Sequence, residues 1–155
     1  MNELNYFKYA ITSVTAFLSA MLGVLYIPVI LMVACNVVDY ITGVMASPYR
    51  NERIDSYKGI KGITKKICMW LLVIVGTIID QLILYAGGTM GHELPFTFLV
   101  ACIVAIWIIC NELISILENI ADMGVPVPAF LMPIIAKIKS QVEEKIKPED
   151  EREDE

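Results

Sequence analysis

Apolar residues occur in four long runs, roughly residues 6–23, 25–46, 66–86 and 94–116, with short polar or glycine-containing segments between them. A helix needs about 20 apolar residues to cross the hydrocarbon core of a bilayer, with about 17–25 as the usual range. The third and fourth runs meet this length easily, whereas a very short turn joins the first two. The pattern predicts an all-α, polytopic membrane protein with four transmembrane helices.

Pro28 bears on how the first two runs are divided. Proline suits the first turn of a helix, because the N–H that it lacks would have no partner within the helix. This placement predicts that a second helix begins just before Pro28. If one long helix instead continues through Pro28, the chain has three transmembrane helices.

After the fourth run, the segment GVPVPAFLMP contains three prolines, which end the helix. Apolar positions then recur at helical spacing, at Leu131, Ile134, Ile135, Ile138 and Val142. They predict an amphipathic helix that lies on the inner membrane face or packs against the basic loop, and these alternatives stay open. We divide the chain into a transmembrane helical domain (1–128), a cytoplasmic amphipathic helix (129–147) and a disordered acidic tail (148–155).

Composition supports a membrane protein, since 57% of the residues are hydrophobic and only 19% are charged. The net charge of −5 comes from the end of the chain, where residues 143–155 hold eight acids and three bases. The remaining acids and bases balance. The excess negative charge therefore lies in residues 143–155.

The distribution of basic residues predicts the topology. Six lie between the end of the second run and the first residue of the third: Arg50, Arg53, Lys58, Lys61, Lys65 and Lys66. The loop GGTMGHEL, between the third and fourth runs, has no Lys or Arg, and four lysines follow the fourth run. By the positive-inside rule, the basic loop and the C-terminus are cytoplasmic. Four spans place the N-terminus inside as well, and three would place it outside.

The lysines of KGIKGITKK do not form a phosphate loop, because the GxxxxGK[ST] pattern is missing. Nor is there an aromatic platform for nucleic acid. They are typical of a juxtamembrane anchor to anionic lipid headgroups. At helical spacing they also form a basic face with small residues, suited to contacts between subunits; the residues concerned are Lys58, Gly59, Lys61, Gly62, Lys65 and Lys66.

Polar residues inside the runs mark candidate functional faces. They are Asn36, Asp39 and Gly43 in the second run, Asp80 and Gln81 in the third, and Asn111 and Glu112 in the fourth. A charge within a span costs about 2.5–3.5 kcal/mol on insertion scales, so these groups face a helix bundle, water or a partner. Asp39 and Glu112 either line a polar seam or pair with Lys61, Lys65 or Lys66. Asp80 has no base nearby, which favours a functional role.

The first run has a face of small residues at helical spacing, made of Ala16, Ser19, Ala20 and Gly23. Such faces let helices approach closely, either within one subunit or between subunits. No catalytic constellation and no cofactor loop is present in the sequence. The single histidine and four isolated cysteines do not provide a metal site by their spacing.

Taken in order, these elements resemble the phage holin family that includes clostridial phage holins and holin-like proteins of toxin loci. The resemblance covers roughly residues 24–142. The matching residues are Asp39 with Thr42 and Gly43, Lys58-Gly59, Lys61-Gly62, Lys65-Lys66, Asp80-Gln81, Asn111-Glu112, Asn119, Gly124, Pro126 and Pro128. The acidic tail departs from the basic tail common in holins.

The resemblance implies a protein of the bacterial inner membrane that oligomerises with itself in the lipid bilayer. Its lesions release an endolysin, or in some loci a toxin, without stable contact to either, and an antiholin is a further possible partner. Two other classes remain open. One is a small ion channel or transporter that uses the acids as ion sites, and the other is a non-lytic antiholin or structural subunit.

Overall fold

The computed structural model describes residues 3–50, 56–92 and 97–146. All regular structure in these ranges is helical, which confirms the predicted all-α class. The helices are α1 (Glu3–Leu22), α2 (Tyr26–Ala46), α3 (Ser56–Thr89), α4 (Leu99–Asp122) and α5 (Leu131–Ile146). Short 3-10 turns, Gly23–Leu25 and Ser47–Arg50, flank α2. The predicted acidic tail lies outside the described residues.

The break between α1 and α2 falls at Gly23, whose φ is +51°. This left-handed conformation is open to glycine and strained for other residues, so the chain turns here rather than continuing as one helix. Pro28 lies in the first turn of α2, where its missing N–H breaks no hydrogen bond.

Three of the described segments are long and apolar enough to cross a membrane: Gly23–Arg50, Gly59–Thr89 and Leu99–Asp122. Helix α1 is not among them, since hydroxyl and charged residues interrupt its apolar face. The fourth span predicted over residues 6–23 is thus not confirmed by this criterion.

Helix α4 is the centre of the bundle, and α2, α3 and α5 each pack along it. The apolar core contains Leu25 before α2, Met32 in α2, Met69 and Val73 in α3, and Ala101, Ala105 and Ile108 in α4. The two alanines are fully buried, which lets the neighbouring backbones approach α4 closely. In lipid, this close packing holds the helices together, because apolar burial alone offers little gain there.

The outer surface of the bundle is apolar, the opposite of a soluble protein. On α3, for example, Leu71, Ile74, Val75 and Ile78 are each about half exposed. Charged and amide side chains lie inside instead, at Asn36, Asp80, Glu112 and Asn119, each at most 6% exposed. This inverted distribution suits a lipid environment.

Helix α5 packs against α4. Trp107 donates from Nε1 to Glu143 Oε1 at 2.8 Å, and Lys139 Nζ lies 5.5 Å from the centre of the same indole ring. Ile135 is buried in this contact region. Whether α5 also touches the membrane face remains a prediction.

Candidate functional site: a buried ionic cluster between three helices

Lys66 occupies the centre of a polar cluster inside the bundle, formed with Asn36, Asp39 and Glu112 and called here the Lys66 cluster. Its ammonium donates to Asp39 Oδ2 at 2.8 Å, to Asn36 Oδ1 at 3.3 Å and to Glu112 Oε2. The three acceptors belong to α2 and α4, and Lys66 belongs to α3. One side chain therefore joins all three span-length helices, and all three of its N–H bonds are used.

A second layer continues the network toward the ends of α2 and α4. Asn119 donates from Nδ2 to Asp39 Oδ1 at 3.2 Å and to Thr42 Oγ1 at 3.1 Å. Arg50 donates to Asn119 Oδ1 at 2.6 Å and to Asp122 Oδ2 at 2.5 Å. Asp39 and Asn119 thus link the buried cluster to the more exposed Arg50–Asp122 pair.

The spacing of inward positions explains why these side chains meet. On α3 the residues that face α4 are Lys66, Met69, Val73, Gly76 and Asp80, which alternate steps of three and four. Similar steps separate Met32, Asn36, Asp39, Gly43 and Ala46 on α2. This spacing keeps one stripe facing a neighbouring helix, as in left-handed helix packing. The polar residues occupy core positions of that stripe.

Burial makes the charges of the cluster interdependent. The Lys66 and Asp39 side chains are 16% and 17% exposed, and Glu112 is 5% exposed. Left unpaired in a bilayer, three charges would cost on the order of 10 kcal/mol. Paired, they largely compensate one another, although two carboxylates share one ammonium and the cluster keeps one negative charge in excess when both are ionised. Loss of Lys66 would leave both carboxylates buried without a counter-charge.

Asp80 lies at the other end of the bundle and caps α4. Its Oδ1 accepts the Val100 N–H and its Oδ2 accepts the Ala101 N–H, both at 2.9 Å. These amides belong to the first turn of α4, where no carbonyl of the same helix is available. Phe98, the residue before α4, has a positive φ of 61° and offers no capping side chain. A carboxylate of α3 therefore serves as the N-cap of α4.

Gly76 makes this contact possible. A Cβ at this position would lie 2.9 Å from the Ala101 Cα, a separation that real side chains do not show. Gly76 and Asp80 are one helical turn apart on the same face of α3. The glycine brings the helices together, and the aspartate then reaches the first turn of α4.

The other predicted residues occupy different surroundings. Lys61, Lys65 and Gln81 are exposed, and Gly43, Gly59, Gly62 and Asn111 are half-buried. An added Cβ at Gly62 would meet nothing within 4 Å, so among the described residues no backbone packs against this position. The side chain of Lys58 lies outside the described residues. The small face of α1, comprising Ala16, Ser19, Ala20 and Gly23, is exposed.

Sequence reasoning considered that Asp39 and Glu112 pair with a lysine, and it named Lys66 among three candidates. It did not single out Lys66 as the residue that points inward while Lys65 points outward. The steps of three and four from Lys66 to Asp80 place Lys66, and not Lys65, on the inward face of α3, and this spacing is visible in the sequence. It also missed the Arg50–Asn119–Asp122 link, because 69 and 72 residues separate Arg50 from its two partners. No pattern among neighbouring residues predicts a contact between residues so far apart in the sequence.

Comparisons with known proteins find relatives that match most of the chain. An uncharacterized 14.9 kDa protein of Clostridium perfringens is 31% identical over 140 residues, which cover 90% of this chain and 98% of that protein. An uncharacterized Listeria monocytogenes protein is 38% identical over 128 residues, 83% of each chain. A protein of Bacillus phage phi105 named a probable holin is 29% identical over 121 residues, covering 78% of this chain and 81% of the phage protein.

No solved structure matches the chain significantly. The family match is extensive, since residues 16–140 fit the bacteriophage holin family. It covers the turn before α2, the Lys66 cluster, the Asp80 cap and most of α5. The chain therefore belongs to the bacteriophage holin family.

Proposed function

We propose that this chain is a phage or prophage holin that oligomerises in the bacterial inner membrane and permeabilises it. The resulting lesions release a cytosolic endolysin, or a toxin in a toxin locus, across the membrane. The family consists of membrane-pore proteins rather than enzymes, which supports this role. The lipid bilayer and further copies of the chain are the direct partners. Endolysin or toxin passes through without stable contact.

The observation that carries the proposal is the Lys66 cluster. A subunit with an apolar exterior and its charges paired inside is stable as a separate unit in lipid. If the helices separate at the Lys66 cluster, the same side chains can contact water. A holin needs both properties, because it must first accumulate harmlessly and later enclose an aqueous lesion. In the proposed mechanism, Asp39, Lys66 and Glu112 change from mutual pairing to contact with water.

The proposed topology has four membrane-crossing helices, with α1 as the first and both termini in the cytoplasm. The basic loop then lies inside and the Gly-rich loop after α3 lies outside. Lysines at the start of α3 anchor that helix to anionic headgroups, and Lys61 and Lys65, which are exposed, are free to do so.

The test is inducible expression in bacteria beside an endolysin that has no export signal. Culture turbidity and membrane potential are followed together. We expect a delay, then abrupt loss of potential, with lysis that requires both proteins. Cells expressing either protein alone are the controls for lysis.

Two results would contradict the proposal. Loss of potential without endolysin-dependent lysis would indicate an ion channel or another small-pore protein. No change in either signal, at a membrane level of protein matched to a known holin, would indicate an antiholin or structural subunit.

A further inference from the structure

Helix α5 lies alongside α4 at a depth that a helix on the inner membrane face would not reach. Trp107, which donates to Glu143 of α5, lies 15 residues before Asp122, where α4 ends. This contact is therefore about 22 Å from that end of α4. Glu143 is likewise 12 residues, or about 18 Å, beyond Leu131, where α5 begins. The two helices run antiparallel, and α5 reaches the half of the α4 span that the proposed topology places toward the outside.

The two faces of α5 differ in polarity, and the polar face is turned away from α4. Ile135 is buried, and Leu131 and Val142 on the same face are half-buried. The opposite face is a row of exposed polar side chains at helical spacing, made of Lys137, Ser140, Gln141 and Glu144. The exposed side of α3, in contrast, is apolar. Helix α5 therefore gives the bundle a polar outer side at membrane depth.

The contact between the two helices joins three polar groups, called here the Trp107 contact. Glu143 accepts the indole N–H, and the Lys139 ammonium lies 3.9 Å from Glu143 Oε1. The same ammonium lies 5.5 Å from the centre of the Trp107 ring, where a cation is attracted by the ring face. Polar groups on this side of α5 thus have partners, whereas those on the outer side face outward without α4.

Lipid would strongly disfavour the outer side of the docked helix. Glu144 follows Glu143 and so lies near the depth of Trp107, where its short side chain does not reach the headgroups. On insertion scales, one charge in the hydrocarbon core disfavours an arrangement by about a hundredfold. An average interhelical hydrogen bond in a membrane protein favours an arrangement by only about threefold. The Trp107–Glu143 bond therefore does not offset Glu144 in lipid, and docked α5 needs water on its outer face.

We propose that α5 is a water-facing wall of the lesion, which docks on α4 through the Trp107 contact and presents Lys137, Ser140, Gln141 and Glu144 to the lumen. This inference rests on the proposed function, because the lesion supplies the water. Before a lesion forms, α5 lies on the inner membrane face with its apolar side toward lipid. The structure combines docked α5 with a paired Lys66 cluster, so the polar wall does not require the cluster to open.

The test follows docking through a bimane fluorophore, which a nearby tryptophan quenches. The full-length chain carries Ser140→Cys for labelling, with the four native cysteines replaced by alanine. Trp70→Phe leaves Trp107 as the single tryptophan, and a matched protein carries Trp107→Phe in addition. Both are reconstituted at increasing density into vesicles of phosphatidylethanolamine and phosphatidylglycerol that contain fluorescent dextran. Vesicles that retain dextran and vesicles that have lost it are then analysed separately.

We expect docking only where a lesion is present. In vesicles that have lost dextran, bimane emission should be lower with Trp107 than in the Trp107→Phe protein, and iodide in the water should quench it further. In vesicles that retain dextran, Trp107→Phe should leave the emission unchanged. Bimane at Lys61→Cys, an exposed position near the start of α3, is the control and should be insensitive to Trp107 in both populations.

Variants of α5 separate the contact from the polar wall. Glu143→Leu removes the indole acceptor and should lower the ratio of docked to undocked α5 in leaky vesicles by about threefold. Glu143→Gln keeps an acceptor oxygen and should behave like the parent chain. Lys137→Leu combined with Glu144→Leu should permit docking in vesicles that retain dextran, because no charge on the outer face then meets lipid.

Four results would overturn the inference. The first is Trp107-dependent quenching of the chain with unaltered Lys137 and Glu144 in vesicles that retain dextran. The second is protection of the docked bimane from iodide, since lipid or another chain would then cover the face. The third is an equal docked fraction in the Glu143→Leu and Glu143→Gln proteins. The fourth is dextran release without Trp107-dependent quenching, which would leave the proposed function intact. Vesicles that release no dextran at any protein density would instead contradict the proposed function, and the inference with it.

Discussion

At the scale of single residues, the positions that matter most are those where a polar or very small side chain replaces an apolar one in the core. Lys66 is the clearest case, because one ammonium joins groups of α2 and α4. Gly76 matters because it is small. Since it has no side chain, α3 and α4 can approach closely at this position. Lys65, which is exposed, and Gly62, where an added Cβ would meet nothing within 4 Å, serve as matched controls.

Lys66→Met should destabilise the subunit by about 3–5 kcal/mol, because Asp39 and Glu112 would stay buried without their counter-charge. SDS-induced unfolding in detergent micelles measures the change. Lys65→Met removes the same charge from an exposed position and should have little effect. Restoring neutrality with Asp39→Asn and Glu112→Gln should recover part of the loss. Equal unfolding of the Lys66 and Lys65 variants would contradict the central role of Lys66.

Gly76→Ala should destabilise by about 1–3 kcal/mol, because the new Cβ would overlap the Ala101 backbone and push α3 from α4. The same unfolding assay applies. Gly62→Ala is the control, and it should be neutral or stabilising by up to about 1 kcal/mol, since that helical site is open. If both variants unfold alike, the close approach at Gly76 is not a real constraint.

At the scale of elements, helix ends depend on neighbouring helices. Helix α4 begins after Phe98, which provides no cap, and receives its acceptor from α3 instead. Helix α5 is joined to α4 by a side-chain hydrogen bond from Trp107 to Glu143. For α4, a contact between elements completes what the local sequence leaves unsatisfied.

Asp80→Ala should cost about 2 kcal/mol, at the upper end for a lost cap, because the part-buried Val100 amide and the buried Ala101 amide lose their acceptors together. Amide hydrogen exchange should accelerate at Val100 and Ala101 first. Asp80→Asn keeps one carbonyl oxygen and should fall between the parent and the alanine variant. Gln81→Ala, at the exposed next position, is the control. Unchanged exchange at these two amides in Asp80→Ala would rule out the cap.

At the scale of the whole molecule, the inside and outside of the bundle are reversed relative to a soluble protein. The apolar surface faces lipid, and the charges meet in the centre. The number of membrane crossings depends on whether α1 enters the membrane, and the three span-length segments do not determine this. Topology is therefore open to a direct measurement.

Single cysteines should report the proposed topology before lysis begins, in a variant in which Cys35, Cys68, Cys102 and Cys110 are replaced by alanine. A membrane-impermeant maleimide added to intact spheroplasts should label His92→Cys, in the predicted outer loop. Asn5→Cys and Ala129→Cys should react only after the cells are broken, because both lie in the cytoplasm in a four-span protein. Labelling of Asn5→Cys in intact spheroplasts, with Ala129→Cys protected, would instead establish three spans.

The sequence by itself determined the helical class, the membrane environment and the candidate polar residues. These follow from local quantities: the length of apolar runs, the spacing of polar positions and the distribution of lysines. It also narrowed the partner of Asp39 and Glu112 to three lysines. Only the tertiary structure selected Lys66, joined Arg50 to Asn119 and turned Asp80 into a cap for α4. Those pairings connect residues far apart in the chain, and they depend on how helices rotate and approach one another. A helical pattern gives the face on which a residue lies, and packing decides what that face meets.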